Sequence, residues 1–180
     1  MVARGVHFAL TDRQRQTLEA KPNDRARIDF VQCEIEARWE TAFLQETDHA
    51  WQVIHACLTD WPTDRQGFYP TKNGDPYILP EDLGSYPLKL CVLGGKRLIQ
   101  DESQYVIRLI EPREVSDLAP ALAAIDRDWM RAKYVQYCAE SIPEFGPTDF
   151  DYSWTWFEAL RAFFKRMAGN GRSIVFTTDQ

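Results

Sequence analysis

The chain has 180 residues, of which 44% are hydrophobic and 13% aromatic, so it can bury the core of one folded domain and is not a disordered segment. Its formal net charge of −6, with no run of more than two basic residues, argues against nucleic acid as a partner. No stretch approaches the roughly 20 apolar residues that a membrane span needs, and the N-terminus lacks the apolar segment of a secretory signal.

The first part of the sequence predicts one strand followed by three helices. Residues 3–10 alternate in polarity, which predicts a short strand with one buried face. Thr11 and Gln14 have the spacing of a capping box and so begin the first helix. A longer helix is expected over residues 24–41. A third helix is expected over residues 47–60, with Thr47 as its N-cap. The apolar stripe of the longer helix consists of Ile28, Val31, Ile35 and Trp39.

Residues 61–86 form the least regular part of the sequence. Five of the ten prolines lie between positions 62 and 87, and an Asn-Gly pair in the middle marks a turn. A loop of this length inside a compact domain is often functional. We therefore treat its aromatic residues as candidates for contacts with a partner, namely Trp61, Phe68, Tyr69 and Tyr77.

The second half contains the clearest strand of the chain. The stretch SQYVIRLIEP, residues 103–112, is apolar on both faces, which is typical of a strand inside a sheet. Pro112 begins a helix, and Pro120 is expected to kink that helix or to end its first part. Another helix starts at Asp126, an aromatic helix covers residues 153–167, and RSIVFTT follows as a final strand.

This order of elements indicates an α+β fold. We expect a single domain over residues 1–180, because neither an internal repeat nor a low-complexity linker divides the sequence. Its small mixed sheet should contain both terminal strands and pack against several helices.

The cysteines point to a reducing compartment. They lie far apart, in apolar surroundings, and form no C-x-x-C pair. Buried free thiols explain this pattern better than a disulfide or metal framework does, so we expect a cytoplasmic protein. The four residues are Cys33, Cys57, Cys91 and Cys138.

The segment HAWQVIHACLTDW combines two histidines with two tryptophans. Asp48, Trp51 and His55 fall on one helical face, but Asp48 and His55 are about 10.5 Å apart along the axis at roughly 1.5 Å per residue. A carboxylate at that distance cannot orient the imidazole. We therefore expect Trp51 to fill the core and His55 to border it, bonded to a backbone carbonyl. A site that combines these residues is the alternative.

The remaining motifs favour structure over chemistry. LGGKR contains Gly94 and Gly95 but matches neither of the phosphate-binding glycine patterns, so a tight turn is expected. The sequence has no G-x-S-x-G motif, no histidine paired locally with a cysteine or serine, and no metal-ligand spacing. It therefore predicts no catalytic residue, metal or cofactor.

Two blocks of the sequence resemble a known family. DHAWQVIHACLT is similar to the Asp-x-Ala-Trp-x-x-Ile-His-x-x-Leu-Thr motif of the YfbM-like family, a bacterial family whose domain has no assigned function, numbered 1877. PLKLCVLGGKRL resembles its Pro-Leu and Val-Leu-Gly-Gly block, and the likeness continues in order through most of the chain. It implies an α+β domain in a bacterial cytoplasm, but no activity. The motif residues singled out are Asp48, Trp51, His55, Thr59, Gly94 and Gly95.

Two functions fit these observations. The first is a small acidic interaction protein without catalysis, of the immunity or antitoxin kind, whose negative charge is compatible with a basic protein partner. The alternative is an enzyme or small-ligand-binding protein with a pocket near Trp51, His55 and the glycine pair Gly94-Gly95. The sequence indicates no oligomeric state.

Overall fold

The fold is built on an antiparallel sheet. The computed structural model describes residues 4–60, 83–101, 105–139 and 147–179. Within these ranges the sheet has five strands in the order β2-β1-β5-β4-β3. The strands are β1 (Gly5–Leu10), β2 (Leu44–Asp48), β3 (Lys96–Arg97), β4 (Tyr105–Ile110) and β5 (Ser173–Asp179).

Helices connect these strands and cover the sheet. The α-helices are α1 (Asp12–Glu19), α2 (Asp24–Phe30), α3 (Ala50–Thr59), α4 (Pro112–Ala123), α5 (Arg127–Tyr134) and α6 (Pro147–Gly169). Stretches of π-helix come after α2 and α5, at Val31–Ile35 and Val135–Ala139. Short 3-10 helices cover Glu36–Arg38, Thr41–Phe43 and Leu88–Cys91. In the ranges that the structure covers, no helix is both long enough and apolar enough to cross a membrane.

The two terminal strands lie side by side, and the predicted α+β fold is confirmed. β1 and β5 are antiparallel, with Gly5 opposite Thr178. The prediction of a mixed sheet is wrong, because each neighbouring pair of described strands is antiparallel. The connection from β4 to β5 shows the reason. It leaves the sheet at Ile110 and returns beside the same residue at Ile174, so β5 must run in the opposite direction.

Both faces of the sheet are covered by helices. Apolar residues on one face pack with α3, α4 and α6, and those on the other face pack with α1 and α2. Consequently every residue of β1 and of β4 is buried. The prediction for β4 is confirmed, whereas the single buried face predicted for β1 is wrong because β1 lies inside the sheet.

The helix predicted over residues 24–41 ends earlier than expected. Its α-helical part stops at Phe30, a π-helical turn and a 3-10 turn come next, and Trp39 then adopts a left-handed conformation with φ 45°. The sequence pattern also misses β2, because this edge strand is mostly polar and has no alternating apolar residues. The predicted capping box at Thr11 and Gln14 is present.

The third helix begins later than predicted. Thr47 is the fourth residue of β2, where it is fully buried and its hydroxyl donates to the carbonyl of Gly5 at 3.1 Å. It therefore caps no helix, and α3 starts at Ala50. Asp48 ends β2 with φ 43°, outside the first helical turn. Cross-strand pairing with β1 overrides the local capping signal of these two residues.

The later helices agree with their sequence patterns but have longer extents. α4 runs through Pro120 to Ala123, so the proline does not end it. Proline removes one backbone donor, and the helix continues for three residues beyond it despite this loss. α6 covers Pro147–Gly169, and so extends beyond the predicted 153–167 at both ends.

Candidate functional site

Trp51 lies in the core between α3 and the sheet. Its side chain is 2% exposed, and its ring lies 5.7 Å from that of Phe176 on β5. A Cβ atom on Gly5 would come within 2.7 Å of Cδ1 of the indole. Glycine at position 5 therefore allows the indole to approach β1, and the ring fills space that a larger residue on the strand would occupy.

His55 lies one turn further along α3 and is also buried, with 1% of its surface exposed. Burial lowers the pKa of its imidazole from 6.5 to about 3, and the positive charge of Arg108 on β4 acts in the same direction. Arg108 is likewise 1% exposed. Neutral His55 beside a buried cation is a poor general base at neutral pH, because an imidazolium of such low pKa releases its proton too readily.

His7 on β1 is a third buried polar side chain, and none of the sequence motifs described above includes it. Its Nε2 donates to the carbonyl of Cys91 at 2.8 Å, and its ring contacts Phe176 and Phe164 at centroid distances of 4.8 and 5.8 Å. Burial lowers the pKa of His7 from 6.5 to about 4. His7 therefore connects the sheet to the segment that precedes the glycine pair.

The glycine pair is required by close backbone packing. A Cβ atom on Gly94 would lie 2.2 Å from the carbonyl oxygen of Lys89, and one on Gly95 would lie 2.8 Å from that of Leu109. The amide of Gly94 also donates to the Lys89 carbonyl at 3.1 Å. These contacts account for both glycines without a ligand.

The other motif residues make structural contacts. The hydroxyl of Thr59 donates to the carbonyl of His55 at 2.7 Å. Asp48 accepts a hydrogen bond from the hydroxyl of Tyr152 at 2.6 Å and lies 3.4 Å from the guanidinium of Arg4. Asp48 is thus engaged by α6 and the N-terminal segment. The candidate loop residues Trp61, Phe68, Tyr69 and Tyr77 lie outside the described residues.

A cleft of about 560 Å³ lies elsewhere, between α1, the π-helix after α2, and residues 38–43. This volume is within the range of ligand-binding pockets in proteins. No residue of α3 lines the cleft. Its aromatic lining residues are Phe8, Phe30 and Phe43. Its charged lining residues are Arg13, Arg38, Arg172, Glu34 and Glu40.

The charges in the cleft are only partly neutralised. Arg38 forms an ion pair with Glu34 at 3.1 Å. The guanidinium carbon of Arg172 lies 4.0 Å above the ring centre of Phe43, which holds the cation over an aromatic face. Arg13 and Arg172 form no ion pair with any residue in the described ranges.

Trp39 stands beside this cleft, between the lining residues Arg38 and Glu40. Its side chain is 44% exposed, and its backbone is left-handed at φ 45° and ψ 47°. The ring touches Phe8 edge-on, with 5.9 Å between centroids. The sequence assigns Trp39 to a buried stripe. This prediction is wrong because the π-helical turn rotates the residues after it around the helix axis.

The cysteines are free thiols. Cys57, Cys91 and Cys138 are buried as predicted, but Cys33 is exposed on the π-helical turn after α2. Among the residues that the structure describes, no group of three or more histidine, cysteine or acidic side chains is arranged to hold a metal ion.

Comparisons with known proteins agree with the fold. The family model described as "Domain of unknown function (DUF1877)" matches residues 1–177. The crystal structure of YfbM from Escherichia coli, a protein of unknown function, is similar at a TM-score of 0.62 and 19% identity. That similarity covers 97% of this chain and 99% of the other. At this identity the likeness concerns the fold alone. A comparison with curated proteins gives no match.

Proposed function

The chain belongs to the family of the domain of unknown function 1877, and from this premise we propose that it is a cytoplasmic, non-catalytic module that holds a partner protein at the surface around Trp39. An immunity or antitoxin protein is the form of this function that we favour. The family match itself carries no activity. The proposal therefore depends on the chemistry of the surface.

The exposed indole of Trp39 is the observation that carries the proposal. A left-handed backbone costs a residue other than glycine of the order of 1 kcal/mol. Trp39 bears this cost while 44% of its surface stays in solvent, so a large part of the indole remains available for contact with a partner. Tryptophan also dominates the hot spots of protein interfaces. An exposed, strained tryptophan is best explained by a contact that the isolated chain does not contain.

The surroundings of Trp39 support the same conclusion. Arg38 and Arg172 line the cleft next to it, and arginine is the charged residue enriched at hot spots. The net charge of −6 supports a partner that is basic overall, because opposite charge speeds the encounter of two proteins.

Site-specific cross-linking tests the proposal. We would place p-benzoylphenylalanine at position 39 of the full chain in cells of the source organism. The matched control carries the same group at Val135, which is 54% exposed on the π-helix after α5. We expect one protein to be captured at near-stoichiometric yield from position 39 and not from position 135.

A competition experiment tests whether the capture at position 39 is specific. Unlabelled wild-type chain should abolish the capture, and Trp39→Asn should not, since asparagine tolerates the left-handed backbone but lacks the indole. Val135→Ala should compete as well as the wild type. If no captured protein is displaced selectively by the wild type, the proposed function is wrong.

The alternative, a small-ligand or enzymatic site near Trp51, His55 and Gly94-Gly95, is favoured by one observation. Two polar side chains, the imidazole of His55 and the guanidinium of Arg108, lie close together in the interior, and convergent polar groups of this kind are typical of ligand sites. His55→Gln distinguishes the two functions. Under our main proposal the His55→Gln substitution lowers stability but leaves the cross-link at position 39 intact. If the variant is fully folded but loses the binding or turnover of a small ligand, the alternative is favoured.

A further inference from the structure

The geometry points to a carboxylate attached to an apolar body as the group that the cleft beside α1 binds. This inference rests on the proposed function and makes it more specific, because the cleft adjoins Trp39 and would receive the anchor that the partner inserts. A partner that is basic overall can still present one carboxylate at its contact surface.

The two arginines of the cleft that form no ion pair with a described residue determine the sign of the charge that a ligand must carry. Arg13 and Arg172 both line it, and neither forms an ion pair with a described residue. Stacking on Phe43 limits the freedom of the Arg172 guanidinium, so less entropy is lost when it binds an anion. A planar guanidinium can donate two parallel hydrogen bonds to a carboxylate. The cleft therefore favours a negatively charged group.

The balance of charge favours a monoanion. Arg38 is neutralised by Glu34 at 3.1 Å, which leaves Arg13 and Arg172 against the carboxylate of Glu40. The cleft thus has one positive charge in excess. A carboxylate matches this excess, whereas a phosphate monoester with nearly two negative charges would be repelled by the glutamates.

The walls of the cleft specify an apolar body. Phe30 and Phe43 are partly exposed and line it, and buried Phe8 and Ile35 form part of its floor. Removing apolar surface from water contributes about 25 cal/mol per Å². The aromatic faces and the arginines share one cavity, so an apolar side chain or ring that carries a carboxylate satisfies both.

Three small probes test the inference without the partner. We would titrate the ¹⁵N-labelled full chain with 4-phenylbutyrate, with its neutral amide 4-phenylbutyramide, and with phenyl phosphate. NMR shifts of the amides of Arg13 and Arg172 and of the Trp39 indole report binding. We expect saturable binding of 4-phenylbutyrate. The amide should bind at least about tenfold more weakly, because it loses a charge-assisted hydrogen bond. Phenyl phosphate should also bind more weakly than the carboxylate.

Substitutions locate the site. Arg172→Gln and Arg13→Gln should each weaken 4-phenylbutyrate binding at least about fivefold. The matched control is Arg25→Gln, since Arg25 is exposed on α2, is paired with Asp29 and does not line the cleft. This control should bind as the wild type does. A cooperative thermal transition in each variant confirms that it is folded.

The outcomes separate the two proposals. Equal binding of the acid and the amide, stronger binding of phenyl phosphate, absence of saturable shifts in the cleft, or an equal effect of Arg25→Gln would each overturn the carboxylate assignment. Such a result leaves the cross-link at position 39 unaffected. Conversely, if the probe binds but no cross-link at position 39 is displaced by the wild-type chain, the carboxylate site is supported and the proposal of a protein partner is contradicted.

Discussion

At the scale of single residues, the buried histidines connect stability to pH. His7 and His55 have ordinary pKa values of 6.5 when unfolded, and burial lowers these to about 4 and about 3 in the folded chain. Below pH 6.5 the unfolded chain therefore binds protons that the folded chain does not. Their contribution to stability is fully present above pH 6.5 and is lost as the pH falls toward about 4 for His7 and about 3 for His55.

We predict that the free energy of unfolding falls between pH 6.5 and 5, with a slope for each of these rings that rises toward a limit of about 1.4 kcal/mol per pH unit as the unfolded imidazole becomes fully protonated. Urea unfolding at several pH values measures this slope. His7→Gln keeps an amide donor near the Cys91 carbonyl but removes the titration, so it should roughly halve the slope even if it lowers stability at pH 7. An equal slope in this variant would contradict the assignment.

The thiols should differ sharply in reactivity. Burial raises the pKa of Cys91, and a hydrogen bond with Cys138 together with burial raises that of Cys57. Cys33 is the exposed thiol of the four. We predict that Ellman's reagent labels one thiol rapidly in the native chain and four after denaturation, since thiolates react and must be accessible. Cys33→Ser should remove the rapid phase, and a rapid phase that survives this change would refute the prediction.

The residues that the sequence predicts well are those whose signals are local. Thr11 and Gln14 form their capping box within one turn. The burial of His7 depends on α6 and on the segment around Cys91, which are distant in sequence. No pattern near residue 7 contains that information.

At the scale of secondary structure elements, Gly94 offers the sharpest test of packing. A methyl group there would lie 2.2 Å from the Lys89 carbonyl, so the backbone must move. We predict that Gly94→Ala lowers the free energy of unfolding by at least about 2 kcal/mol. Gly169→Ala is the matched control, because a Cβ at this helical position meets no atom within 4 Å. It should leave stability unchanged or raise it by up to about 1 kcal/mol. Urea denaturation of both variants decides the point.

Helices with a regular apolar stripe were predictable, and the irregular helix after α2 shows where periodicity fails. The turn at Val31–Ile35 holds one more residue than an α-helical turn, which rotates the residues after it by about 100° around the helix axis. Ile35 remains buried at the end of this turn, while Trp39 points to solvent. The sequence stripe assumes an unbroken period of 3.6 residues, so it extends the helix too far and places Trp39 inside.

At the scale of the whole molecule, the sheet depends on its last strand. β5 lies between β1 and β4, so it joins one part of the sheet to the other. We predict that a chain ending at Asn170 shows no cooperative thermal unfolding, because β1 and β4 would each lose a hydrogen-bonded neighbour. Circular dichroism during heating measures this. A sharp transition in the truncated chain would contradict the topology.

The α+β fold and the meeting of the terminal strands were predictable, because strand and helix patterns were clear at both ends. The parallel or antiparallel sense of neighbours was not, since it depends on the paths of the connections. The cleft was not predictable from the sequence either. Its lining comes from β1, α1, the turn after α2 and Arg172, and no one of these segments has a binding motif.

The pairing of Gly5 with Thr178 also sets the timing of folding during synthesis. β1 leaves the ribosome first, yet its partner β5 emerges only after the helices and the other strands between them have been translated. Until then β1 can pair with β2 alone, so the nascent chain exposes one unpaired edge of an apolar strand, which is the kind of segment that aggregates or recruits chaperones. We expect the centre of this sheet to close only after translation has passed Asp179, however early the individual helices form.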